Sequence, residues 1–130
     1  MHSFDNAKAI AGAPRLMTDP QLVNLLTDRV QDWTELGLLA MTYLVIIEIG
    51  DTDKSIIEEI GFSPMVNSLD GKRYGMEGFV FPFDYIEDHS GWFELFATVG
   101  NDGFAFVLFV RDREGVDPEF VAMCRAHAGR

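Results

Sequence analysis

The sequence predicts an α+β fold: a single mainly antiparallel sheet, made of a central apolar strand and a three-stranded C-terminal meander, packed by an N-terminal and a C-terminal helix. Three observations predict it. Apolar residues recur at helical spacing over 22–33, a nearly unbroken apolar run spans 38–49, and a clear period-two alternation starts at Phe79 and continues between turn residues to Val110. The 130 residues suit one domain, with 18–130 as its body and 1–17 as a flexible N-terminal arm. At 48% apolar residues with a lone cysteine, such a chain builds its core without disulfides.

Residues 1–17 show no sustained period, and Ala11-Gly12-Ala13-Pro14 reads as a loosely held stretch. Thr18 with Gln21 three residues later fits a capping box, and Pro20 fits a first helical turn, where its missing N–H has no partner to lose. Leu22, Leu26, Val30 and Trp33 then share one helix face, and Gly37 is a natural stop. The segment 38–49 becomes rich in β-branched residues towards Ile49, which suits a strand buried on both faces; periodicity alone also accommodates a helical first half. Asp51, Thr52 and Asp53 offer short oxygens to cap a brief helix over 54–60.

Asp70-Gly71 supplies the positive φ angles of a tight turn between short strands near 65–69 and 72–76. Phe79, Phe81, Phe83 and Tyr85 share one face of the next strand, and Pro82 places that strand at an edge or a bulge because it cannot donate to a ladder. Phe93, Leu95, Ala97 and Val99 alternate with Trp92, Glu94, Phe96 and Thr98. Residues 100–103 form a turn, and 104–110 runs back. Asp117-Pro118 starts a last helix over 120–128.

Ten Lys and Arg against 21 Asp and Glu leave a net charge of −11, which repels phosphate backbones and anionic lipid at long range. Nucleic acid and membrane are therefore not expected partners. The first residues lack the basic start and apolar core of a secretory signal, and the uncharged stretch 36–47 falls short of the about 20 residues a membrane helix needs. The expected address is the cytoplasm. The nucleophile elbow, the phosphate loop, the dinucleotide fingerprint, H-E-x-x-H and C-x-x-C are all missing, which removes the enzyme classes built on them. No cofactor and no metal are expected.

Between Arg73 and Arg111 the chain carries no Lys or Arg, yet it holds six acids and ten of the sixteen aromatic residues, with Tyr74 an eleventh. Aromatics on both faces of the strand from Trp92 require that something cover each face. Glu87, Asp88 and His89 form the densest polar cluster, with the residue types of a divalent-cation site or of a carboxylate-oriented base; a solvated hairpin end is the plainer account. Asp51 and Asp53 follow the buried strand, and with Asp84 or Glu87 beside them they would make an oxygen-rich site. Cys124 and His127 share a helix face, but the C-terminal end of a helix disfavours a thiolate. These residues point to a non-catalytic binding or regulatory module that engages a protein partner or itself, with Asp51, Asp53, Asp84, Glu87, His89, Trp92 and Phe96 as candidate binding residues. The alternative is a small-ligand binder or small enzyme with a carboxylate-rimmed aromatic pocket.

Overall fold

The computed structural model describes residues 2–48, 85–99, 104–113, 121–122, 124–125 and 128. The elements in chain order are β1 (His2–Phe4), α1 (Ala7–Gly12), a 3₁₀ turn (Ala13–Leu16), α2 (Pro20–Glu35), a second 3₁₀ turn (Leu39–Met41), β2 (Thr42–Ile47), β3 (Tyr85–Asp88), β4 (Trp92–Val99) and β5 (Phe104–Arg111). The strands form one five-stranded sheet in the order β1-β2-β5-β4-β3.

The α+β class and the antiparallel meander of β3, β4 and β5 follow the sequence pattern, with Glu87 opposite Glu94 and Leu95 opposite Leu108. Three expectations need correction. The sheet is mixed: β2 pairs parallel with β5, Thr42 against Ala105 through Ile47 against Val110, and β5 rather than β2 is the central strand. Both strands are apolar on both faces, so their composition says "interior" without saying which neighbour or direction. The apolar run also begins as a 3₁₀ turn, and only Thr42 onwards is strand.

The second correction concerns residues 2–17, which are not a loose arm. His2 to Phe4 add an antiparallel edge to β2, with Phe4 opposite Leu44, and Phe4, Ile10, Ala13 and Met17 are buried. Four apolar anchors in so short a segment hold it down without a long periodic signal. The third concerns the helices: both helices with described bounds are N-terminal. Of the C-terminal helix expected to pack the sheet, Val121, Ala122, Cys124 and Arg125 are helical, and its extent lies outside the described residues. The helix over 54–60, the strands near 65–69 and 72–76, and the strand start at 79–84 lie outside them too.

The cap of α2 is Asp19, not Thr18: its Oδ1 accepts the Leu22 N–H at 2.9 Å. Gly37 at φ +70° closes the helix, with the Leu38 N–H donating to Trp33 O at 2.8 Å and the Gly37 N–H to Thr34 O at 3.2 Å, the paired bonds of a left-handed C-terminal cap. Leu22, Leu26 and Trp33 of α2 pack with Leu44, Ile46, Trp92, Val107 and Phe109 on one sheet face. Each such burial contributes about 1.5–3 kcal/mol. On the opposite face Val45, Ile47, Phe93, Leu95, Phe106, Leu108 and Val110 are at most 2% exposed. Among the described residues, both faces of the sheet's central strands are thus largely closed to water.

Candidate functional site

Period-two alternation puts Trp92, Glu94 and Phe96 on the face of β4 that α2 covers, so a carboxylate enters the interior among aromatic rings. Glu94 is 1% exposed. An ion buried so deeply must be paired. Arg29, one helical turn beyond Leu26 on α2, supplies the partner: its Nε donates to Glu94 Oε2 at 2.7 Å and its Nη2 to Oε1 at 2.9 Å, a two-bond fork. His89 Nε2 lies 2.8 Å from the same Oε1.

Glu87 stands directly across from Glu94 in the β3–β4 ladder, where two acids repel. The same two cation-capable groups lie between them. Arg29 Nη2 is 3.6 Å from Glu87 Oε2, and His89 Nε2 is 3.8 Å from it. Arg29 Nη1 reaches Asp32 Oδ2 at 3.5 Å, which ties the exposed side of α2 into the cluster.

The hairpin that carries His89 is held from two sides. Ser90 at φ +60° and Gly91 at φ +140° make the two-residue turn, and Asp88 Oδ1 accepts the Ser90 N–H at 2.8 Å. Gln21 donates its amide Nε2–H to His89 O at 2.7 Å. Its role is this bridge to the turn rather than a capping box. A few ångströms on, Asp19 accepts from Trp92 Nε1–H at 3.3 Å and pairs with Arg111, whose guanidinium lies 5.1 Å above the centre of the Trp92 ring. The Arg111 hydrogen bond, helped by the Leu22 N–H, holds the Asp19 carboxyl below its ordinary value.

Of the residues singled out in the sequence, Glu87 and His89 come together, and their ligand-type atoms fall with one of Glu94 within 4.8 Å of one another. Trp92 is fully buried, and Phe96 is partly buried against the same core, so both rings pack inward. Asp51, Asp53 and Asp84 lie outside the described residues, as does His127. Sequence reasoning missed Glu94 and Arg29. The signal was present: an acid on the Trp92 and Phe96 face of a strand, inside a stretch without Lys or Arg, must take its cation from another element.

Chemically the cluster has the residues of a divalent-cation site, but Arg29 already stands where the cation would be, with its charge 2.7 to 3.6 Å from both carboxylates. Glu94 orients His89 as a carboxylate orients a catalytic base, while sharing its own charge with Arg29. The arrangement is a brace between α2 and the β3–β4 hairpin. Among the described residues, no helix is long and apolar enough to cross a membrane. No family of known proteins, no curated protein and no solved structure matches this chain.

Proposed function

We propose that this protein is a non-catalytic binding module that engages a basic protein partner through an acidic surface on α2 and the β3–β4 hairpin. The observation that carries this reading is the exposure of Asp28 and Asp32 on α2 together with Glu87 and Asp88 on β3, with Arg29 reaching both Asp32 and Glu87. The aromatic faces of the sheet are covered and the inward acid is neutralised, so the surface of this region offers a partner acids rather than rings. Such a field speeds encounter with a cationic surface and sets orientation more than it adds raw affinity.

The test is affinity capture on the immobilised chain at about 50 and 500 mM salt, where screening differs roughly threefold in length. A protein retained at low salt by the wild type and by Asp5→Asn, yet released by Asp28→Asn/Asp88→Asn, supports the reading. Retention that ignores salt, or that both variants preserve alike, removes it.

A further inference from the structure

We infer that the protein pairs with a second copy of itself, the apolar groove along α1 receiving the exposed C-terminal end of α2 from its mate. The groove, about 490 Å³, is floored by Phe4, Ala9, Gly12 and Leu16 and flanked by Lys8 and Arg15. In a chain with twice as many acids as bases, neither of these cations has an ion-pair partner among the described residues. Leu16, at the groove's end, is 64% exposed.

The complementary shape lies on the same molecule. Among the described residues the other exposed large apolar side chains are Leu36, at 68%, and Leu38, at 37%, immediately beyond α2. That end of α2 carries Glu35 and no basic residue in its last turn, so no cation of the helix itself offsets the negative end of its dipole. One patch therefore offers leucine and a carboxylate at the negative end of a helix, and the other offers leucine and two cations that have no ion-pair partner among the described residues. Apolar surface meets apolar surface, and charge meets opposite charge.

Geometry favours a closed pair over an open chain. α1 packs against the Leu39–Met41 turn that follows α2, so groove and helix end are neighbours. A two-fold axis between them lets each copy give its helix end and receive its mate's in one interface. The patches are small, so the contact belongs to the weak class, with dissociation on the order of tens of micromolar. None of these residues is among the four assigned to the basic partner, and either reading can fail alone.

The experiment is sedimentation velocity on the full chain from about 1 to 300 µM at low salt, with three proteins: the wild type, Lys8→Glu/Arg15→Glu and Glu35→Lys. The expected result is a monomer–dimer equilibrium for the wild type, with dissociation at least tenfold weaker for each variant alone. An equimolar mixture of the two variants restores dimer, because the reversed groove then faces a reversed helix end. Circular dichroism and melting of each variant confirm that it is folded. A wild type that stays monomeric throughout, variants that dimerise like the wild type, or a mixture of folded variants that stays monomeric, each overturns the pairing.

Discussion

Arg29 grips the Glu94 carboxylate with two hydrogen bonds of 2.7 and 2.9 Å, joining the middle of α2 to a strand 65 residues away in sequence. The pair is asymmetric in its setting: the Glu94 side chain is 2% exposed and that of Arg29 is 28%. The carboxylate is therefore the group that cannot stand alone, and Arg29 the group whose loss is felt through its partner.

Asp19 joins three elements at once, as the cap of α2 and the acceptor for Trp92 and Arg111. Asp19→Ala is expected to cost about 2 kcal/mol, at the upper end for a lost cap, read as a lower midpoint in urea. Asp19 is depressed in the folded state, so its charge contributes stability that is fully present above the ordinary carboxyl value of 3.8 and is lost as pH falls through the folded value. The stability gap between wild type and Asp19→Asn should stay level from pH 7 to 5 and close only below about pH 4. A gap that closes near pH 6 contradicts this account.

Gly91 sits at φ +140°, and a Cβ there would come within 2.6 Å of Gln21 Oε1. Gly91→Ala should cost about 1–2 kcal/mol. Gln21→Ala removes the collision together with the Gln21–His89 hydrogen bond, but not the backbone strain, so in a Gln21→Ala background Gly91→Ala should still show part of its cost on chemical denaturation. No remaining cost in that background means the backbone at Gly91 is not strained.

Cys124 is buried, and that burial pushes its thiol well above the ordinary value. A protonated, enclosed thiol is a poor nucleophile. An aromatic disulfide reagent at pH 8 should leave the native protein unlabelled over minutes and titrate one thiol per chain in denaturant. Rapid native labelling excludes the burial described here.

The cluster of Glu87, His89 and Glu94 should ignore divalent cations while Arg29 is present. Zinc at about 1 mM is expected to move the thermal midpoint by less than about 1 °C, against the several kcal/mol a well-formed site contributes. A rise of many degrees that chelator reverses and His89→Ala abolishes shows instead that the metal displaces the guanidinium.

Much of this fold could be read from residue pattern. The α2 face of Leu22, Leu26 and Trp33, and the alternation through β4 and β5, each bury enough apolar area to announce themselves. The arrangement of strands could not be read, because β2 and β5 are apolar on both faces and carry no mark of direction. The N-terminal strand and helix were hidden for the opposite reason: three and six residues are too few to show a period, and their anchors are spread thinly. At the site, Glu87 and His89 were visible as a dense local cluster. Their partners Arg29 and Glu94 are brought in by tertiary packing alone, and local spacing carries no record of that.

The most direct test of the central claim, that the buried acid is a structural brace, is a double-mutant cycle at Arg29 and Glu94 followed by urea denaturation. Arg29→Met leaves the buried carboxylate with His89 but without its guanidinium and should cost about 3–5 kcal/mol, while Arg29→Met/Glu94→Leu replaces both ions by apolar groups and should recover most of it, for a coupling of at least about 2 kcal/mol. Losses that simply add, or an Arg29→Met protein as stable as the wild type, contradict the brace.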